Sequence, residues 1–229
     1  MSGARKIPAL ALAILASVLP AGCNDDTLAV RPGPDPAPDL SLLALGDSYT
    51  VGHSLPVAWS WPWQLADSLA AGGDTLRTLD VAARTGWTTR DLLDAVRGEL
   101  AAGALADRPY GLATLMIGVN NQFQGLDLGV FAAELDTLVD LAVDLVGGDS
   151  GQVLGFSIPD YGVTPVGSYY GTQRVGDEIA AHNAVVRRTF AAKGVAMIDV
   201  TPLSLEAGSN PRLVAKDGLH YSREMYARW

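Results

Sequence analysis

A parallel β-sheet covered by helices on both faces is the fold class that the sequence predicts. Three observations support it. Five apolar runs recur at fairly steady intervals, at residues 42–45, 76–81, 112–117, 153–156 and 195–200. Amphipathic segments with a period of about 3.6 residues separate these runs, and the 229-residue chain shows no internal repeat that would mark a second folded domain. Alternating strands and helices in this number are typical of an α/β sheet.

The first apolar run ends abruptly in Gly46, Asp47 and Ser48. Glycine lets the backbone turn sharply, so Ser48 is expected at the carboxyl end of a buried strand. Functional sites of open α/β sheets form at that end. Taken alone, however, Gly-Asp-Ser is also an ordinary turn, so a functional reading depends on the rest of the chain.

Four segments between the runs carry helix signals. Pro62 suits the first turn of a helix, and Thr88 with Asp91 resembles a capping box. Gly194 is placed to end the last of the four helices. The predicted helices cover residues 63–70, 88–100, 130–146 and 175–193.

Two of the loops that follow strands are long. Residues 118–129 and 157–172 are rich in Gly, Pro, Asn and Tyr. Both follow the carboxyl ends of strands, so they are expected on the same rim of the sheet as Ser48. Long loops at such a rim usually carry function.

The amino terminus has the pattern of an export signal. Arg5 and Lys6 precede an apolar stretch at 7–19 that is too short to span a bilayer. The stretch leads to Cys23, the only cysteine, in a context that resembles a bacterial lipobox. We therefore expect residues 1–22 to be a signal peptide, 23–39 to be a lipidated cysteine with a Pro-rich tether, and 40–229 to be the folded domain. An ordinary signal peptide and a secreted soluble protein are the alternative.

Composition narrows the possible partners. The formal net charge is −9, and removal of residues 1–22 would make it more negative. An acidic domain argues against nucleic acid as a partner and against electrostatic attraction to anionic lipid, so the lipid anchor would be the only attachment to a membrane. No cluster of His, Cys and acidic residues has metal-ligand spacing, so we expect no metal and no cofactor.

A constellation near the carboxyl terminus supports a catalytic reading of Ser48. Asp217 and His220 are three residues apart, so the carboxylate can accept a hydrogen bond from the imidazole and hold its tautomer. A nucleophile, a base and an orienting group are thus available. Gly86 follows the second run and Asn120 the third, and each offers an N–H donor that could stabilise an oxyanion on the same rim.

These residues together resemble the SGNH/GDSL hydrolase family over residues 40–226. The shared blocks are Gly46-Asp47-Ser48, Gly86, Gly118-x-Asn120 and Asp217-x-x-His220. The resemblance implies a three-layer α/β/α sandwich of flavodoxin-like type with a five-stranded parallel sheet. It implies Ser48 as nucleophile, His220 as base, Asp217 as its orienter, and an oxyanion hole from the Ser48 and Gly86 N–H groups and the Asn120 amide.

The chain departs from the family pattern at two positions next to these blocks. Tyr49 follows the serine where the family has Leu, which should change packing more than chemistry. Asn121 stands where the family has Asp, a residue that supports the loop.

The resulting expectation is an exported serine esterase that hydrolyses short-chain acyl esters through an acyl-enzyme, with acetyl groups on a glycan as one candidate substrate. Trp59, Trp63 and Tyr161 are candidates for contact with that substrate. The alternatives are a lipid hydrolase of lysophospholipase or thioesterase type and a non-catalytic binding module on the same fold. The oligomeric state is left open.

Overall fold

The computed structural model describes residues 40–105 and 109–229, so the predicted signal peptide, Cys23 and the tether lie outside the described residues. Its sheet has five strands, which are β1 Leu40–Gly46, β2 Leu76–Ala83, β3 Leu112–Met116, β4 Val153–Phe156 and β5 Ala196–Ile198. All neighbouring strands are parallel, in the order β2-β1-β3-β4-β5. The predicted parallel sheet is confirmed.

The register of the sheet gathers three loops at one place. Gly46 at the end of β1 lies opposite Ala83 of β2 and Met116 of β3. The three strands therefore end at the same level, and the segments that follow them start side by side. Chain order changes direction at β1, and such a switch point is where parallel sheets form ligand clefts.

Helices cover the sheet in two layers. They are α1 Ser48–Val51, α2 Trp61–Gly72, α3 Thr89–Ala101, α4 Val119–Phe123, α5 Leu128–Leu145, α6 Thr172–Lys193, α7 Thr201–Leu205 and α8 Arg223–Tyr226. The helix α5 packs against α3 and α6 in one layer, while α2 packs against α8. This is the expected three-layer α/β/α arrangement. No helix within the described ranges is long and apolar enough to cross a membrane.

Local signals in the sequence explain several helix ends. Thr88 caps α3 with both bonds of the capping box, since its side chain accepts from the Asp91 N–H and the Asp91 side chain accepts from the Thr88 N–H. Gly194 ends α6 in the left-handed conformation, with φ of 72°. Pro62 lies in the first turn of α2. These three predictions are confirmed.

Two elements differ from expectation. The loop predicted at 118–129 contains the short helix α4, which starts after Gly118 reverses the chain with φ of 126°. The last strand, predicted over 195–200, has only three residues. It stops early because Asp199 accepts hydrogen bonds from the Ser157 hydroxyl and the Thr201 N–H, which turn the chain away from the sheet.

The centre of the core is β1. The side chains of residues 42–45 are at most 1% exposed, so this strand is covered on both faces. Burial of each Leu side chain is worth about 1.5–3 kcal/mol. The segment that begins with Ser48 is therefore attached to one of the most firmly held parts of the molecule.

Candidate active site

Ser48 is the first residue of α1, directly beyond β1, and only 4% of it is exposed. Asp47 caps the helix by accepting the Tyr49 N–H at 3.0 Å. Gly46 is required for space: a Cβ there would lie 2.1 Å from Thr50 Oγ1 and 2.6 Å from the Met116 carbonyl oxygen. The sequence predicts a glycine for a sharp turn, whereas the structure shows that Thr50 of α1 and the Met116 carbonyl of β3 both lie too close to Gly46 for a larger residue.

The side chains of Asp217 and His220 are held together as their spacing predicts. The His220 Nδ1–H donates to Asp217 Oδ2 at 2.7 Å. The other carboxylate oxygen, Oδ1, accepts the backbone N–H groups of Leu219 and His220, each at 2.9 Å. Ser54 donates its hydroxyl to Oδ2 at 2.5 Å. Burial opposes ionisation of Asp217, but these hydrogen bonds outweigh it and hold its pKa well below the usual range.

The environment of His220 favours the neutral ring. Burial lowers its pKa below the ordinary value of 6.5, and the nearby His53 lowers it further, while the bond to Asp217 acts in the opposite direction. The His53 and His220 ring centroids are 4.6 Å apart. His220 is therefore unprotonated at neutral pH, which is the state that a general base requires.

A cavity of about 180 Å³ joins the segments that follow β1, β2 and β3. Its lining comprises Ser48, Tyr49, Thr85, Gly86, Val119, Asn120, Phe123, Tyr161, Leu219 and His220. The structure thus brings Ser48, Gly86, Asn120 and His220 to one space. Within the described residues the Ser48 hydroxyl does not bond directly to His220; such contacts often tighten only when substrate binds.

All three residues predicted to form the oxyanion hole, Ser48, Gly86 and Asn120, lie in that lining. Gly86 has φ of 87°, a left-handed conformation that favours glycine, and the space around its Cα is open. Asn120 donates one amide proton to the Trp87 carbonyl oxygen at 2.8 Å, which ties it to the Gly86 loop. An amide carries two protons, so the second remains for an oxyanion.

Asn121, which stands where the family has Asp, both accepts and donates hydrogen bonds, whereas a carboxylate would only accept them. It is fully buried, its Oδ1 accepts the Thr89 N–H at 3.0 Å, and its Nδ2 donates to Thr89 Oγ1 at 2.7 Å. Thr89 in turn donates its hydroxyl to Glu134, which pairs with Arg90 at 2.9 Å. These bonds connect α4 to the start of α3 and to α5. The amide that replaces the family's Asp therefore joins two of the loops around the cavity.

Only one of the three predicted substrate contacts lies at the cavity. Tyr161 lines it, but Trp59 and Trp63 do not. Trp59 lies in a separate groove beneath the Arg223 guanidinium, 5.6 Å from the ring centroid, and Trp63 lines a depression beside β2. Neither tryptophan therefore lies with Ser48 and His220, and contact of either one with substrate stays a prediction.

Sequence reasoning missed Phe123, at the end of α4. Its side chain is 51% exposed, lines the cavity and packs edge-on against Tyr161 and Tyr170, at 6.3 Å and 5.2 Å between ring centroids. An aromatic residue in a polar loop after a strand was the available signal. Ser54, which bonds to Asp217, was also missed.

One group of potential metal ligands occurs in the described part of the chain. The donor atoms of His53, Asp217 and His220 lie within 4.8 Å of one another. Asp217 and His220 are, however, already bonded to each other. We therefore assign this group to hydrogen bonding rather than to a metal.

One rim of the parallel sheet thus carries a serine, a histidine bonded to a carboxylate, and N–H donors around the same cavity. This set of groups is typical of serine hydrolases. Comparisons with known proteins agree. A model of the GDSL-like lipase/acylhydrolase family matches residues 44–228. The chain belongs to this family and is an ester hydrolase. No curated protein is significantly similar in sequence.

Solved structures share the fold at low sequence identity. The lipase/acylhydrolase from Enterococcus faecalis is 20% identical, with 82% of this chain and 89% of that chain covered and a TM-score of 0.63. The psychrotrophic esterase EstA from Pseudoalteromonas sp., inhibited by monoethylphosphonate, is 16% identical, with 83% and 93% covered and a TM-score of 0.63. The acetyl xylan esterase AlAXEase is 16% identical, with 82% and 95% covered and a TM-score of 0.64.

Proposed function

We propose that this protein is an exported serine esterase that removes short acyl groups, with Ser48, His220 and Asp217 as its catalytic triad. The observation that carries the proposal is that Ser48 and His220 line one cavity while Asp217 holds the histidine ring from the other side. A binding module would not need all three groups in this arrangement.

The geometry supports a two-step reaction. Ser48 Oγ attacks the ester carbonyl carbon, and His220 Nε2 takes the hydroxyl proton. The oxyanion accepts hydrogen bonds from the N–H groups of Ser48 and Gly86 and from the Asn120 amide. His220 then gives its proton to the leaving alcohol as the C–O bond breaks. Water, deprotonated by His220, hydrolyses the acyl-enzyme and restores Ser48.

The small cavity supports a short acyl group. It holds about 180 Å³, and the rings of Phe123 and Tyr161 form part of its wall. Each additional CH₂ adds about 0.8 kcal/mol only where the protein can bury it. The exposed rings of Phe123 and Tyr170 next to it suit the flat face of a sugar. Acetyl groups on a glycan are therefore our leading substrate, and the fold of an acetyl xylan esterase is compatible with this.

Lipid hydrolysis is the second candidate, because several exposed apolar side chains follow Phe123 in the chain. Leu126, Leu128 and Val130 are 40%, 37% and 50% exposed, respectively, and follow it closely in the chain. Side chains of this kind could hold an acyl chain that leaves the cavity.

The charged start, the apolar stretch at 7–19 and the lipobox-like context of Cys23 support export and membrane attachment. Cys23→Ser should move the protein from the membrane fraction to the soluble exported fraction, because a lipoprotein anchor uses several acyl chains. A wild-type protein that already fractionates as soluble would show a secreted form instead.

Labelling with a fluorophosphonate tests the catalytic proposal, because the probe reacts only with an activated serine. We expect wild-type protein to be labelled and Ser48→Ala to be unlabelled and inactive. Ser168→Ala is the matched control, since its exposed hydroxyl bonds only to the Pro165 carbonyl oxygen. Equal labelling of wild type and Ser48→Ala would contradict the assignment.

A further inference from the structure

Ser54 has an unusual backbone for a residue with a side chain. Its φ is 69°, and among the described residues it is the only non-glycine residue with a positive φ. This left-handed conformation costs an ordinary residue free energy that a glycine would avoid. Strain of this type is concentrated at functional sites, where the surrounding structure enforces it.

The side chain of Ser54 reaches the far end of the chain. Its hydroxyl donates to Asp217 Oδ2 at 2.5 Å, across 163 positions of sequence. The same oxygen accepts the His220 Nδ1–H. With the two backbone donors on Oδ1, the carboxylate accepts four hydrogen bonds, which is about the number that its two oxygens can take.

The backbone around Ser54 is bound to the helix that starts with Ser48. The N–H groups of Gly52 and His53 both donate to the Ser48 carbonyl oxygen, and the Leu55 N–H donates to the Gly52 carbonyl oxygen. The turn at 52–55 is therefore a direct continuation of α1. The backbone on both sides of Ser54 is thus fixed to α1 by hydrogen bonds.

These contacts place Ser54 between the two halves of the triad. Ser48 opens α1, just after the first strand, whereas Asp217 and His220 come from a loop near the other end of the chain. We propose that Ser54 is a positioning residue for ester hydrolysis. Its hydroxyl holds the Asp217 carboxylate, and through it the His220 ring, in a fixed position relative to α1, the helix that begins with Ser48. This inference rests on the proposed triad and deepens it. Ser54 itself touches no substrate and transfers no proton to one.

The proposal explains why the strain is retained. Glycine would fit this backbone without strain, but it would lack the hydroxyl that Asp217 accepts. The hydroxyl and the backbone conformation thus have separable effects, and two substitutions separate them. Ser54→Ala removes the hydroxyl and keeps the strain, whereas Ser54→Gly removes both.

The test is steady-state hydrolysis of p-nitrophenyl acetate by full-chain protein. We expect both variants to lose about 10- to 100-fold in kcat, as for loss of a hydrogen bond to a charged group, with KM changed less than twofold. The thermal midpoint of Ser54→Gly should be no lower than that of Ser54→Ala. Ser168→Ala, whose exposed serine is not among the residues that line the cavity, should retain both constants.

A double-mutant cycle adds a readout that a purely structural role would not move. If Ser54 acts through Asp217, adding Ser54→Ala to Asp217→Asn should lower kcat much less than Ser54→Ala does alone. Unchanged kcat in Ser54→Gly, equal losses in both backgrounds, or a change in KM alone would each overturn the positioning role. Wild-type protein that reacts with neither ester nor fluorophosphonate would instead contradict the proposed function, and the positioning role with it.

Discussion

The Nδ1 atom of His220 lies 2.7 Å from Oδ2 of Asp217, yet the pKa of His220 is below its ordinary value of 6.5. Burial of the ring disfavours its charged form by more than the carboxylate favours it, and His53 adds a further lowering. Protonation of this base should therefore need a lower pH than protonation of an exposed histidine.

The first prediction concerns the pH dependence of activity. We expect the acid limb of kcat/KM for a short ester to have an apparent pKa below 6.5, because protonation of His220 removes the base. His53→Gln removes the neighbouring imidazole and should move this limb to higher pH. The measurement is initial rates from pH 4.5 to 8.5, with circular dichroism as a control for folding. An acid limb above 6.5 in the wild type would contradict the burial argument.

The second prediction contrasts two adjacent amides. Asn120→Ala should lower kcat by roughly 10²–10³ with little change in KM, as for loss of one oxyanion donor. Asn121→Ala should chiefly lower the free energy of unfolding, by about 1–3 kcal/mol, because it leaves the buried N–H of Thr89 without its acceptor. Kinetics and thermal denaturation of both variants check this. A changed KM with unchanged kcat in Asn120→Ala would show that Asn120 binds substrate in the ground state.

The third prediction concerns Asp47, which is 1% exposed. Burial raises its pKa to about 7, although the Tyr49 N–H acts in the opposite direction. The folded state therefore binds this proton more tightly than the unfolded state, whose Asp pKa is about 3.9. The free energy of unfolding should fall as pH rises from about 4 to 7, by as much as roughly 4 kcal/mol.

Asp47→Asn isolates this contribution, because the amide oxygen can still accept the Tyr49 N–H but carries no charge. The difference in thermal midpoint between pH 5 and pH 8 should be smaller in Asp47→Asn than in wild type. Asp127→Asn is the matched control, since Asp127 caps α5 in the same way but is exposed. If both variants alter the pH dependence equally, burial of Asp47 is not its cause.

The fourth prediction concerns acyl length. We expect kcat/KM for p-nitrophenyl esters, measured below their micelle concentrations, to favour acetate to butyrate over octanoate and decanoate. Phe123→Ala should raise the relative rate on octanoate, because it removes a ring from the wall of the cavity. A steady rise through octanoate in the wild type, with a loss in Phe123→Ala, would instead favour the lipid hydrolase.

Much of the framework could be predicted from the sequence because its signals are local. A short apolar run that ends in glycine, such as 42–45, favours a strand, and the capping box of Thr88 and Asp91 needs only its own turn. Because carboxyl ends of parallel strands meet at one rim, the order of the elements was enough to predict that Gly86 and Asn120 would approach Ser48.

Other features depend on contacts between distant segments of the chain, and the local sequence pattern does not predict such contacts. Trp59 and Trp63 are aromatic residues of the kind that bind substrates, but they line other depressions of the surface and not the cavity. The link from Ser54 to Asp217 exists only after the first and last parts of the chain have folded against each other. The sequence by itself determined the presence and order of the strands and the helix caps, because each depends on neighbours within a few residues, and it supplied the candidate catalytic residues. The tertiary structure alone decided the walls of the cavity and the support of the carboxylate, because these depend on the direction in which packed side chains point.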